Sequence, residues 1–132
     1  MKEYHPRDLS FDENETIEFL EACFDGTCVR LKDDDKREQD ISKIAHATGI
    51  PSETISDLSK WLYTFEKDSE TGEILYSHTG EPIRLSLEIS MTAKSYLELA
   101  TYCLGSEDFH KFNGFVKKLD TLNNKDVLST KH

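Results

Sequence analysis

Ile41-Ser42-Lys43-Ile44-Ala45-His46-Ala47-Thr48-Gly49-Ile50-Pro51-Ser52-Glu53-Thr54-Ile55-Ser56-Asp57-Leu58-Ser59-Lys60-Trp61-Leu62 is the stretch on which the fold is read. Ile41, Ile44 and Ala45 recur at the spacing that gathers apolar side chains on one helix face. Gly49 stands where the chain must reverse, and only glycine reaches a positive φ there without steric cost. Ile50 then points inward, and Pro51-Ser52 opens a second helix with Ser52 as the expected N-cap. Ile55, Leu58 and Leu62 form its buried face. Two short helices joined by a tight glycine turn make a helix-turn-helix unit over residues 41–62. Its exposed set on the second helix is Ser52, Glu53, Thr54, Ser56, Asp57 and Lys60.

Working toward the N-terminus, Ser10-Phe11-Asp12-Glu13 has the spacing of a capping box. Ile17, Leu20, Cys23 and Phe24 follow on one helical face, and Gly26 is placed to end that helix. Thr27 to Lys32 reads as a strand or an extended connector. Asp33-Asp34-Asp35 reads as a solvated loop leading into a helix, where carboxylates favour the N-terminal dipole. A calcium loop needs a glycine and a distal glutamate that this run lacks.

Toward the C-terminus, Tyr63 to Lys67 alternates like a strand, Asp68 to Glu73 is turn chemistry, and Glu73 to Ser77 returns as a second strand. Thr79-Gly80-Glu81-Pro82 makes another turn before Ile83 to Glu88. Tyr96, Leu97, Ala100 and Leu104 share a helical face that Gly105 ends. Ser106 caps a last helix carrying Phe109, Phe112, Phe115, Val116 and Leu119. Glu107 and Asp108 lie in its first turn, and Lys117 and Lys118 near its end. No internal repeat is read. Residues 1–122 are expected to form one domain and 123–132 a flexible tail.

Residues 41–62 resemble the helix-turn-helix of bacterial transcription regulators, through Ile44, Ala45, Gly49, Ile50, Ile55 and Leu58. Thr48 departs from the pattern, which has a larger apolar residue there. A hairpin directly after the second helix is similar to the wing of winged-helix domains, here residues 63–88. Met91-Thr92-Ala93-Lys94 resembles the helix opening of repressors of the multiple-antibiotic-resistance type, with Lys94 or Ser95 where that group has glycine. The resemblance implies a mainly α fold with a small β-hairpin: a winged helix-turn-helix with flanking N- and C-terminal helices. It also implies a homodimer formed by the C-terminal helices, residues 90–122.

Charge divides the functional readings. The chain has 132 residues, 16 Lys and Arg, and 26 Asp and Glu, a net of −10. That excludes a generally basic protein that coats nucleic acid. Residues 1–40 carry six cations against thirteen anions, residues 41–62 are neutral, 63–88 sum to −4 and 89–132 to +1. A small DNA-binding transcriptional regulator is the first expectation, with Ser52, Glu53, Thr54, Ser56, Asp57 and Lys60 in the major groove and Lys43 adding a charge contact. Glu53 can accept from cytosine N4, although Glu53 and Asp57 together repel the phosphates. The wing offers Glu66, Asp68, Glu70 and Glu73 where a minor groove favours Arg or Lys. The alternative keeps the fold and docks this acidic face on a basic protein surface, as an inhibitor, anti-activator or DNA mimic of phage type would.

An enzyme is not expected. The six glycines stand too far apart for a phosphate loop, and no GxSxG or HExxH motif occurs. His46, His78 and His110 have no partner fixed by spacing. Trp61 and Tyr63 are expected to close the core between the second helix and the wing rather than stack a ligand. No cofactor is expected. Cys23, Cys28 and Cys103 form no CxxC pair, so reduced thiols of an intracellular, cytoplasmic protein are expected in place of zinc ligands. The N-terminus lacks the apolar run of a signal peptide, and no stretch has the length of a membrane span.

Overall fold

A computed structural model describes residues 2–9, 13–25, 31 and 35–129, those of 126–129 without side chains. The Ser10 cap, the Gly26 stop, most of the connector Thr27 to Lys32 with Cys28, and Asp33 and Asp34 lie outside the described residues. The chain is mainly helical, with a small two-stranded antiparallel sheet. The elements run β1 (Glu3–Tyr4), a 3-10 turn (Pro6–Asp8), α1 (Glu13–Phe24), α2 (Arg37–Thr48), α3 (Ser52–Tyr63), β2 (Met91–Thr92), α4 (Ala93–Cys103), α5 (Ser106–Lys111) and α6 (Asn113–Ser129). β1 pairs with β2 in the register Glu3 to Thr92 and Tyr4 to Met91. This tie between the N-terminus and the start of α4 has no counterpart in the sequence reading, because two-residue strands carry no periodicity.

The core is a single cluster drawn from every helix except α5. On α1 the buried positions are Thr16, Phe19, Leu20, Cys23 and Phe24, a regular stripe with three- and four-residue steps. Ile17, expected on that face, sits at its edge, half-buried. Phe19 instead meets the rings of Phe112 and Phe115, at 6.0 and 4.7 Å between centroids. On α4, Ala93, Tyr96, Leu99, Ala100 and Cys103 are buried. The Tyr96 hydroxyl donates to the Tyr4 carbonyl at 3.2 Å, fastening β1 to α4.

The last helix of the sequence reading is two helices. α5 is N-capped by Gly105, not Ser106, and ends at Phe112. α6 then runs from Asn113 to Ser129, past Asn123, where the sequence suggests a tail. Leu104, not Gly105, is the C-cap of α4.

Cys23 on α1 and Cys103 on α4 are both free thiols and fully buried. Burial, then the hydrogen-bonded Cys103 thiol beside it, pushes Cys23 well above the ordinary thiol range. Cys23 therefore stays protonated, and both thiols are shielded from solvent. In a Cys28→Ser variant, a thiol-specific reagent at neutral pH is expected to modify neither cysteine in the folded protein. In denaturant both should react at least about 100-fold faster.

Between α3 and β2 the chain builds neither a long strand nor an ordinary hairpin. Three extended arms, near residues 65–67, 74–76 and 82–84, meet at three antiparallel bridges: Phe65 with Arg84, Lys67 with Ile74, and Tyr76 with Pro82. Their middle residues close a ring of backbone hydrogen bonds. Glu66 N–H donates to Ile83 C=O at 2.7 Å, Ile83 N–H to Leu75 C=O at 3.0 Å, and Leu75 N–H to Glu66 C=O at 2.9 Å. Each arm gives one donor and one acceptor, which satisfies the short segments without a wide sheet.

Two turns join the arms, and both use the same residues. Thr71-Gly72-Glu73 and Thr79-Gly80-Glu81 repeat a tripeptide, with Gly72 at φ 74° and Gly80 at φ 86°. In the first turn an Asp68 carboxylate oxygen accepts from the amides of Glu70 and Thr71, at 2.7 and 3.1 Å. The second closes through Gly80 N–H to Ser77 C=O at 2.9 Å and a hydroxyl contact between Ser77 and Thr79 at 2.8 Å. The repeat, passed over in the sequence reading, is thus the chemistry of two matched turns.

Candidate functional site

α2 and α3 pack together and are joined by three residues, Gly49, Ile50 and Pro51. Gly49 takes the left-handed conformation at φ 76° and returns its amide to the Ala45 carbonyl, ending α2. Ile50 is buried. Pro51, not Ser52, is the N-cap of α3, since its carbonyl receives the amides of Thr54 and Ile55. Thr48, where the resembled family carries a larger apolar residue, works as a turn lock. Its hydroxyl donates to the Ile44 carbonyl at 2.6 Å and accepts from the Ile50 amide at 3.3 Å.

Nothing lies within 4 Å of a Cβ built on Gly49. A Gly49→Ala substitution therefore meets backbone strain alone. It should lower stability by about 1–2 kcal/mol, read from urea unfolding.

The turn presents the N-terminal half of α3 to solvent. Ser52 and Glu53 are exposed, Thr54, Ser56 and Asp57 are partly exposed, and Lys60 is exposed. Ile55, Leu58, Ser59, Trp61 and Leu62 are buried behind them. Glu53, Ser56, Asp57 and Lys60 recur on one stripe, and Ser52 to Lys60 spans about 12 Å of helix. Lys43 is exposed on α2. The stripe thus holds hydroxyls and carboxylates of both hydrogen-bonding senses, with a single cation at its far end.

Arg84 anchors the arms to α3. Its Nη1 donates to the Trp61 carbonyl at 3.4 Å and to the Leu62 carbonyl, two groups that the end of a helix leaves unsatisfied. The guanidinium lies 5.3 Å from the Trp61 ring centroid and 5.1 Å from that of Phe65. Burial pulls its pKa down, while Glu13, Glu21 and Glu81 push back. A cation here complements the negative end of the helix dipole.

Trp61 is 1% exposed. Its other neighbour is His5, edge-on at 6.1 Å. His5 Nδ1 accepts from the Arg7 amide at 3.3 Å, and Nε2 lies 3.2 Å from the Leu87 carbonyl. The neutral tautomer with the proton on Nε2 serves both bonds. Sequence reading passed over His5 and Arg84, because their partners are distant in the chain. The local signal beside His5 is Pro6, at the start of the 3-10 turn that His5 caps.

The acidic residues of the arms divide by role. Asp68 is spent on its turn, and its amide hydrogen bonds hold its carboxyl below the usual range. Glu66 is half-buried, whereas Glu70, Glu73 and Glu81 are exposed. Beside them opens a cleft of about 600 Å³ between the third arm, the start of α1 and Trp61. Arg7 and Arg84 line it with Glu13 and Glu81, so its walls carry both signs of charge. Tyr63 is half-buried, and burial with Asp25 and Glu21 nearby raises its phenol above the ordinary value. His46, His78 and His110 are exposed on separate elements. Among the described residues no three His, Cys, Asp or Glu side chains converge to hold a metal ion. No helix of the described residues is long and apolar enough to cross a membrane.

Comparison of the chain with protein-family models, with curated proteins and with solved structures finds no match. The functional reading therefore rests on the residues themselves.

Proposed function

We propose that the chain is a small DNA-binding regulator of the winged helix-turn-helix type, with α3 as its reading helix. The observation that carries this is the three-residue turn 49–51, which leaves the polar stripe of α3 outside the core while Ile55, Leu58 and Leu62 lock the helix in place. A rigid helix with exposed side chains in its first turns is what major-groove readout requires. Ser52, Thr54 and Ser56 supply hydroxyls for phosphate or base edges, Glu53 accepts from cytosine N4, and Lys43 and Lys60 meet phosphates, while Asp57 bars a backbone approach on its side. The arms, in the place of a wing, contribute no minor-groove contact, because Arg84 is occupied by α3 and Lys67 is their one other cation.

A pair of chains joined through the C-terminal helices would match a two-fold operator. Phe112, Phe115 and Leu119 are occupied within the chain's own core, so such a pair uses other residues of α4 to α6, among them the exposed Tyr102. With two phosphate-facing lysines per chain, log affinity should fall against log salt with a slope of roughly −2 per chain. Lys43→Ala and Lys60→Ala should each remove about one unit of that slope in an anisotropy titration with labelled duplex. Unchanged slopes in both variants would move the contact away from α3.

A further inference from the structure

We propose that the three-arm ring of residues 65–84 is a preformed docking surface for a folded protein partner whose contact face is apolar at its centre and ringed by Lys and Arg. The proposal is independent of DNA reading by α3, which uses other residues.

Exposed apolar area is concentrated in the arms. Five large hydrophobic side chains are exposed among the described residues: Ile74 at 36%, Leu75 at 40%, Tyr76 at 60%, Ile83 at 39% and Tyr102 at 38%. Four of them fall within ten consecutive positions. Scattered exposed hydrophobics are ordinary, but a local concentration rimmed by polar residues marks an interaction site. Tyr76, the most exposed, is a residue type that dominates binding at the centre of interfaces.

These side chains stand on an ordered frame. The ring Glu66–Ile83–Leu75 closes on itself, both turns are locked by their own side chains, and Arg84 fastens the third arm to α3. A frame held before binding loses little entropy on docking.

Charge selects the occupant. Glu66, half-buried, and the exposed Glu70, Glu73 and Glu81 lie in the same segment as the apolar side chains, against Lys67 as the exposed cation. A second copy of this chain would set carboxylates against carboxylates. Nucleic acid and an anionic bilayer would be repelled for the same reason. A protein face with an apolar centre and a basic rim is complementary in both respects.

The test is a photo-crosslinking amino acid placed at position 76, and at Glu98 on the exposed side of α4 as control, in the cells that make the protein. The expected result is a protein adduct at 76 that is absent at 98, identified by mass spectrometry. The purified adduct protein should then bind the purified wild-type chain by calorimetry. Tyr76→Ser and Leu75→Ser should each weaken that binding about tenfold, and Glu70→Lys with Glu73→Lys should weaken it further as salt falls. Lys60→Ala should leave it unchanged. Thermal melting of each variant within about 2 °C of wild type shows the frame intact. No adduct specific to 76, an adduct to a second copy or to DNA, or binding that survives both serine variants would each overturn the proposal.

Discussion

Replacing Trp61 by alanine is expected to cost the fold about 3–5 kcal/mol, the largest loss of any single substitution here. Trp61 is 1% exposed and sits at a junction of three parts of the chain. Its ring meets His5 from the N-terminal turn and Arg84 from the third arm, while its carbonyl accepts from Arg84. Truncation removes the apolar area and leaves a void that the rigid helix cannot collapse into. A loss of this size should lower the melting temperature by roughly 10–20 °C. Far-UV circular dichroism is the proper readout, because Trp61 is the protein's one tryptophan. Trp61→Phe should recover about half of the loss by refilling part of the site. A Trp61→Ala variant within 1 kcal/mol of wild type would mean that the arms and the N-terminal turn do not pack on α3 as described.

Arg84→Met is expected to cost about 2–3 kcal/mol while leaving the helices in place. Methionine keeps an apolar stem over Trp61 and Phe65 but strips the donors from the Trp61 and Leu62 carbonyls and the charge from the two rings. Hydrogen bonds made by a charged donor contribute about 1.5–3 kcal/mol, and a partly desolvated cation–π contact adds about 1. Arg84→Lys should recover only part of this, because an ammonium cannot stack and fork at once. The loss should be local. Amide exchange at Glu66, Leu75 and Ile83, the three donors of the ring, should accelerate more than at Leu58 or Tyr96 in the core. Trp61 emission should shift to the red as its cover loosens. A double-mutant cycle between Arg84→Met and Trp61→Phe should be non-additive by at least about 0.5 kcal/mol. Additive losses would separate the two residues.

The helix pair α2–α3 is legible because everything that makes it is local. Gly49 reports a positive φ, Pro51 reports a helix start, and the apolar spacing reports which faces are buried. The one-residue error at the N-cap has a local cause too: Pro51 supplies the capping carbonyl, so the Ser52 hydroxyl is not needed. The buried face of α1 is less legible, since both Ile17 and Phe19 fit a helical stripe. Only the rings of Phe112 and Phe115, nearly a hundred residues on, decide for Phe19. The split between α5 and α6 at Phe112 has only Asn113-Gly114 to announce it, with no proline and no break in the apolar spacing.

In the arms, the turns are legible and the ring is not. Asp68 to Glu73 and Thr79 to Pro82 read as turns from their own residues, and the repeated Thr-Gly-Glu could have shown that they match. Which segments meet is a non-local matter: Glu66 reaches Ile83, and Arg84 reaches carbonyls more than twenty residues earlier. The sequence predicts a plain hairpin because strand alternation reports the face of a strand, not the number of its partners. The same gap hid the candidate docking surface. Ile74, Leu75, Tyr76 and Ile83 look like core strand residues in sequence, and only their exposure in the structure marks them as surface. For α3 the exposure of Ser52, Glu53 and Lys60 and the partial exposure of Thr54, Ser56 and Asp57 are legible, since exposure there follows from the helical period.

The proposal that α3 reads DNA is tested most directly by offering the purified protein, at about 10 µM and about 50 mM salt, a library of random duplexes and sequencing what it retains. The expected result is an enriched motif whose retention is lost in Lys60→Ala and whose base preference shifts in Glu53→Gln, at the position where Glu53 meets cytosine. Retention of no duplex above background, or an enriched motif indifferent to both substitutions, would contradict it.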